Sequence, residues 1–372
     1  MLVTRMCRWM IASAFAGFAV LGLALGWTAD PHPYLITDLG TLGGDSSEAL
    51  DVNTGGQVVG WSATAGGQNH AFLYRAGAMT DLGTLPGGTS SVATAINDLS
   101  QVVGYGGINA YGPMFQEYMQ GFIWRDGSMQ SLGALYCPCS FNVRYGTSAA
   151  YHINIGGAAV GDSETYRGKT VRHAFLWRDG VMQDIAGAGS TSISYAYGIN
   201  AAGQVVGSYD DRACLWDNGT RRDLGTLPGH ASSTARAVNS LGQAAGESVA
   251  GTGLESRAVL WDGASTRDLG ALTGDPSSRA NDINSLGQVV GRSGSMDGVV
   301  SRAVLWQAGA IIDLNSLIPP GSGWELKVAY GINDAGQIAG SGLHGGLRRA
   351  FLMSPPGLNP VSGGGFHLHR GR

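Results

Sequence analysis

Asp51, His152 and Asp282 each stand two residues before an asparagine that recurs seven times along the chain. A shared repeat position puts side chains at one height in a repetitive fold. A converging Asp–His–Asp set has the groups for proton transfer or for holding a cation. The other four copies carry Ala95, Gly198, Ala237 and Gly331 there, however, which isolates the three polar residues and argues against catalysis through them. The paired carboxylates of glycosidic-bond hydrolysis do not stand out. The sequence has no nucleophile elbow, phosphate loop or zinc signature, and its Asn-x-x-Gly turns lack the carboxylates that calcium needs. It therefore predicts no catalytic, cofactor-binding or metal-binding residue.

Aromatic side chains outside the repeated positions give a second possible chemistry. Tyr105, Tyr111, Phe115 and Tyr118 fall in one long inter-strand segment, and Tyr136, Phe141 and Tyr145 in the next but one. Exposed rings could stack on sugars or anchor a peptide; the alternative is that they pack on one another and hold long loops together.

What must position these residues is a repeat. Each copy reads Ala-x-x-(Ile/Val)-Asn-x-x-x-Gln-x-x-Gly, then Ala-Phe-Leu-Trp, then Asp-Leu-Gly, with local variation. The asparagines are Asn53, Asn97, Asn154, Asn200, Asn239, Asn284 and Asn333. Glycine is abundant (61 of 372 residues) and only 13% of residues are charged, so short strands joined by tight turns are expected. In the first copy, residues 48–53, 57–62, 70–75 and 78–82 read as strands a to d. Asn53-Thr54-Gly55-Gly56 suits a tight a–b turn. Invariant Ala49 and Gly60, and their counterparts, imply closely approaching backbones. Four-strand units of this length predict propeller blades. A lone strand at residues 34–40 and a last copy lacking its fourth strand predict ring closure. The expected fold is all-β: a seven-bladed β-propeller of four-stranded antiparallel blades over residues 34–355, the N-terminal strand completing the last blade. A His or Arg eleven residues before Asp81, Asp184, Asp223, Asp268 and Asp313 predicts a cross-strand pair in each of those blades. Arg349 is expected to pair with Asp38 across the closure.

At the N-terminus, Arg5 and Arg8 precede an apolar run from Trp9 to Leu25 and then small residues. Residues 1–29 read as a signal peptide, giving a secreted, extracellular or cell-surface protein, or a periplasmic one, with membrane contact only through that segment before cleavage. Cys137-Pro138-Cys139 suits a small loop disulfide in an oxidising compartment. Residues 356–372 read as a disordered tail. A net charge of −4 without a basic stripe excludes a nucleic-acid partner.

His70-Ala71-Phe72, His173-Ala174-Phe175, the Ile-Asn-x-x-Gly-Gln-Val-Val-Gly stretch at 199–207 and its counterpart at 283–291, with Asp-Leu-Gly-Thr-Leu at Asp38, Asp81 and Asp223, resemble the HAF repeat of extracellular repeat proteins. The resemblance spans about Tyr34 to Met353. It departs at Ser100 (for Gly), Ala158 (for Gln) and Ile185-Ala186 (for Leu-Gly). It implies export and a repeat fold, and carries no activity. The expected function is that of a monomeric, cofactor-free binding or adhesion scaffold for a glycan, peptide or envelope component, acting through its variable loops; the alternative is a glycan-active hydrolase or lyase at the channel mouth.

Overall fold

In the computed structural model, residues 34–108, 118–135, 146–166, 170–187 and 189–358 are described. They form seven antiparallel four-stranded sheets, each ordered a-b-c-d. In blade 1 these strands are β2 (Gly43–Val52), β3 (Val58–Thr64), β4 (Asn69–Arg75) and β5 (Ala78–Asp81). Blade 7 comprises β26 (Trp324–Ile332), β27 (Ile338–His344) and β28 (Leu347–Ser354), completed by β1 (Leu35–Asp38). Leu35 pairs with Ser354 and Asp38 with Phe351, so the N-terminal strand closes the ring and covers the outer edge of the last sheet. Neighbouring a strands touch around the full circle, blade 7 to blade 1 included, and therefore form the innermost layer.

The core lies between blades. Seven apolar clusters fill the seven blade interfaces. This explains the Val-Val doublet of strand b, because successive side chains point to opposite faces of a sheet. Val58 packs against blade 7 and Val59 against blade 2, both fully buried. A sheet covered on both faces makes its strands read as apolar runs. The aromatic ending Ala-Phe-Leu-Trp belongs to the same interfaces: Tyr74, Trp177, Trp216, Trp261 and Trp306 are buried, as is Met353 in the last copy.

Each invariant residue has a geometric cause. Every a strand carries a β-bulge just after the invariant alanine. A carbonyl of strand a then lies over the strand-b glycine: a Cβ on Gly207 would meet the Tyr195 carbonyl oxygen at 1.8 Å, and one on Gly60 the Glu48 oxygen at 1.8 Å. The asparagines do more than form turns. The side-chain nitrogen of each donates to the backbone carbonyl of the next blade's asparagine, from Asn53 to Asn97 (3.1 Å) and onward to Asn333, which donates back to Asn53 (2.8 Å). In six copies the same nitrogen reaches the Gln four residues on, as in Asn239 to Gln243 (2.9 Å), while the asparagine Oδ1 accepts the backbone N–H of that position, Ala158 in the third copy included. Seven hydrogen bonds thus form a closed belt, and Asn-x-x-x-Gln is its repeating unit.

A second belt involves serines six residues before the asparagine. Ser233 Oγ donates to Gly225 O (2.8 Å) and accepts from Ala213 N (2.9 Å), both in the preceding blade; Ser47, Ser91, Ser148 and Ser278 make the same two bonds.

The c–d pairs are present at His70–Asp81, His173–Asp184 and Arg212–Asp223 (2.7–2.8 Å). Arg302 lies 3.7 Å from Asp313 and closer, at 2.7 Å, to Asp275. In blade 2 the substituted pair still meets, Ser131 Oγ donating to Gln120 Oε1 (2.6 Å). Two expectations need correction. Arg257 and Asp268 form no ion pair; Asp268 keeps only the strand-exit cap through Gly270 N (2.7 Å) that Asp81, Asp184 and Asp223 also make. Asp38 pairs with His344 (2.8 Å), not with Arg349. His344 is stacked flat on Trp324 (4.6 Å, 4°) and so presents a short, oriented side chain. Arg349 reaches across to Asp45 O in blade 1 (2.8 Å).

Ser100 takes the left-handed turn position (φ 59°) that glycine fills in the other copies, and its hydroxyl donates to Gln57 Oε1 of blade 1 (2.7 Å). Pro356–Leu358, expected to begin a disordered tail, form a turn closed by Leu358 N to Pro355 O (3.3 Å). The signal segment, the rest of the tail and the Cys137–Cys139 pair lie outside the described residues. Cys214 is buried and unbridged, and burial pushes its thiol well up.

Candidate functional site

Antiparallel a-b-c-d order sends the a–b and c–d turns to one end of the ring and the b–c and d–a connections to the other, called here the lower and upper faces. The Asn belt closes the lower end of the a strands. Just above it sit Asp51, His152 and Asp282. Asp51 accepts Val52 N (2.7 Å) and, from blade 2, Ile96 N (2.8 Å). Asp282 repeats this with Ile283 N and, from blade 7, Ile332 N (both 2.8 Å). These carboxylates clamp neighbouring blades. Where the position is glycine the next backbone is simply close: a Cβ on Gly198 would meet Arg236 O at 2.9 Å. Each group is enclosed by the inner strands while still touched by channel solvent. Burial, and then the Asp51 charge, raise Asp282 to about 7; burial also raises Asp51 and lowers His152, opposed in each by the other's charge.

Asp282 yields a pH prediction. Its folded pKa exceeds the ordinary carboxylate value, so between about pH 4 and 7 the unfolded chain releases its proton first. Folding stability should fall as pH rises through that window. Asp282→Asn should flatten the decline by ~1–3 kcal/mol, read from urea midpoints at pH 5 and pH 8. An unchanged slope would refute the assignment.

The upper end of the inner strands is chemically different. Here the positions flanking the bulge do not repeat. Going round the ring, facing a–b pairs are Glu48–Trp61, Val92–Tyr105, Ala149–Asp162, Tyr195–Ser208, Thr234–Glu247, Arg279–Arg292 and Val328–Ser341. The bulged residues add Tyr151, Tyr197, Arg236, Asn281 and Tyr330. Most polar groups are engaged. Trp61 Nε1 donates to Glu48 (3.0 Å), which also holds Arg348. Tyr151 donates to Asp162 (2.7 Å), itself ion-paired with Arg172 (2.6 Å). Arg236 holds Glu247 (2.6 Å) beside Tyr197, whose hydroxyl is pushed up to about 12 chiefly by burial. Tyr195, Tyr197 and Tyr151 form a run of rings with centroids 5.8 and 5.3 Å apart.

A cavity of about 550 Å³ opens on this face between blades 6 and 7. Arg279, Arg292, Lys327, Arg348, Tyr330 and Ser341 line it, together with the b–c loop of blade 6 around Asp297. Nothing in the repeat marked these residues: they lie at its variable positions, and the bulge that shifts the a–b register by one residue is not written in the sequence.

Of the aromatic residues expected in loops, Tyr105 lies within strand β7 (Val102–Ile108), opposite Val92 and Gly121. Tyr118 opens β8 (Tyr118–Arg125), opposite Ile108. Both belong to a longer b–c hairpin than expected, and Tyr105 faces the upper mouth. Tyr111, Phe115, Tyr136, Phe141 and Tyr145 lie outside the described residues. Among the described residues no group of three or more His, Cys, Asp or Glu is arranged to hold a metal ion, and no helix is long and apolar enough to cross a membrane.

Solved structures share the fold at low identity. A Mycobacterium tuberculosis puromycin-hydrolyzing peptidase matches with TM-score 0.51 and 12% identity over 84% of this chain and 51% of that one. The Pyrococcus horikoshii acylaminoacyl peptidase matches with TM-score 0.48 and 11% identity over 80% and 50%. The extracellular domain of a putative one-component system from B. thetaiotaomicron matches with TM-score 0.50 and 8% identity over 86% and 40%. The chain thus spans about half the length of the two peptidases, and these likenesses concern fold alone. Comparison with curated proteins finds no match. The sequence model described as "Protein of unknown function (DUF3466)" matches residues 88–348, and the chain belongs to that family.

Proposed function

We propose that the protein is a secreted or cell-surface propeller that binds a glycan, peptide or envelope component through its upper face, without catalysis. The observation that carries this reading is the contrast between the two ends of the inner strands. The lower end is occupied by repeated residues that bond one blade to the next. The upper end is where the repeat breaks down and where the 550 Å³ cavity opens, a volume within the range of ligand sites. Variable residues on a rigid scaffold are where binding usually resides. The signal-like N-terminus and the resemblance to the HAF repeat support export. The glycan-active alternative has less support, because the acids at the upper mouth are held: Asp162 by Tyr151 and Arg172, Glu247 by Arg236, and Glu48 by Trp61 and Arg348.

Arrays of glycans, peptides and envelope fractions probed with the mature protein test the reading. Capture should fall about tenfold or more when described aromatics of the blade-2 b–c hairpin are removed, as in a Tyr105→Ala/Tyr118→Ala double variant. Capture unaffected by that variant would reject the aromatic patch. No capture of any array member would reject the function.

A further inference from the structure

The facing a–b pair at the upper mouth combines two like charges in one blade only among the seven. Arg279 lies directly opposite Arg292, an arrangement that destabilises an antiparallel pair. The other cations nearby have acidic partners: Arg236 has Glu247, Arg302 has Asp275, Lys327 has Glu325 and Arg348 has Glu48. Among the described residues, neither Arg279 nor Arg292 is ion-paired. Arg279 Nε donates to Asn281 Oδ1 (3.2 Å) and Arg292 Nη2 to Met296 O (3.1 Å). The single acid lining the cavity, Asp297, is turned into its own loop, where it accepts from Ser295 Oγ and from Val299 N (3.0 Å). Glu247 of blade 5 feels both arginines: although burial pushes it up, Arg236, Arg279 and Arg292 together hold it below the usual range. Its contact is with Arg236, however. Burial and then the Arg236 charge pull Arg279 down to about 10, which leaves it cationic at neutral pH.

Two half-buried guanidinium groups facing one another, with Glu247 and Asp297 in their field but no ion-pair contact of their own, leave room for an anion from outside. Guanidinium is the side chain best matched to the two oxygens of a carboxylate. The cavity is far larger than one anion. Beside the arginines it presents the Tyr330 ring and the apolar Val328 and Leu343, with Ser301 and Ser341 beneath, whose hydroxyls donate to Lys327 O and Glu48 Oε1, a lining suited to a flat ring attached to the acid.

We propose that this cavity binds a uronate residue of an acidic saccharide, its carboxylate held by Arg279 and Arg292 and its ring set against Tyr330. The proposal rests on the reading of the upper face as the binding face and assigns that face its ligand class.

Calorimetric titration of the mature protein tests it, with trigalacturonate as the probe and maltotriose, pentaglutamate and inorganic phosphate as comparators. Trigalacturonate should bind at least about tenfold more tightly than each comparator, and Arg292→Gln and Arg279→Gln should each weaken it about tenfold or more. Arg279→Lys, which keeps the charge but loses the fork, should give a smaller loss. Melting temperatures of the Gln variants should match or exceed that of the parent, because each relieves the like-charge pair. Equal affinity for pentaglutamate or phosphate, or undiminished binding by the Gln variants, overturns the proposal. If the arrays find a neutral ligand whose capture ignores the arginines, the upper-face reading stands and this inference fails. If no member of either panel binds, both fail.

Discussion

Gly207→Ala should leave little or no folded protein at 25 °C. The added methyl would sit 1.8 Å from the Tyr195 carbonyl oxygen and 3.0 Å from the Ala196 Cα. Both neighbours are backbone atoms of a bulged strand, so neither can rotate away. Relief requires separating strands a and b of blade 4, which would break the ladder between them and disturb the interfaces on both sides. A loss above about 4 kcal/mol is expected, a large part of the 5–15 kcal/mol that holds a typical fold together. Gly219→Ala is the control. Unlike Gly207, Gly219 is at positive φ (79°), but nothing lies within 4 Å of the new methyl, so only local strain of ~1–2 kcal/mol applies. Guanidine unfolding of both variants checks the difference. Equal losses would mean that close approach to the strand-a carbonyl is not what requires glycine in strand b.

The second large effect is expected at the belt. Asn333 Nδ2 donates to Asn53 O (2.8 Å) and Gln337 Oε1 (2.8 Å), and Asn333 Oδ1 accepts from Ala335 N (3.1 Å) and Gln337 N (2.9 Å). All but the Ala335 bond are buried, and the Asn53 bond joins the last blade to the first. Asn333→Ala leaves several polar groups without partners, at about 3–5 kcal/mol. Asn333→Asp keeps the two accepted bonds but turns a negative oxygen toward two acceptors. It should therefore be far less stable at pH 8 than at pH 4, where the acid can regain a proton and donate. Thermal melts at the two pH values decide this. An Asp variant as stable as the parent at pH 8 would show that the belt contributes nothing to closure.

How much of this could be read from the sequence varies by level. The blades, their number and the closure by β1 were legible, because period, invariant Gly and the Val-Val doublet each follow from strands packed between two neighbours. The partner of Asp38 is not legible, because register alone does not decide it: Arg349 holds the matching place, but His344, braced by Trp324, takes the contact. The belts were only half legible. Asn and Ser repeat visibly, yet a side chain bonding the next blade 39–57 residues away needs the ring to be closed first. Least legible was the upper mouth. Arg279 and Arg292 meet only through a bulge, and their neighbours differ in every copy, so no period points to them.

The central claim is that the repeated residues are scaffold and that binding resides where the repeat breaks, at the upper mouth. The most direct measurement pairs affinity and melting temperature in an Arg279→Gln/Arg292→Gln double variant and in Asp282→Asn. The account predicts that the double variant loses trigalacturonate binding with its melting temperature kept, while Asp282→Asn alters the pH course of melting and binds like the parent. Binding lost in the lower-face variant and kept in the upper-face one would contradict it.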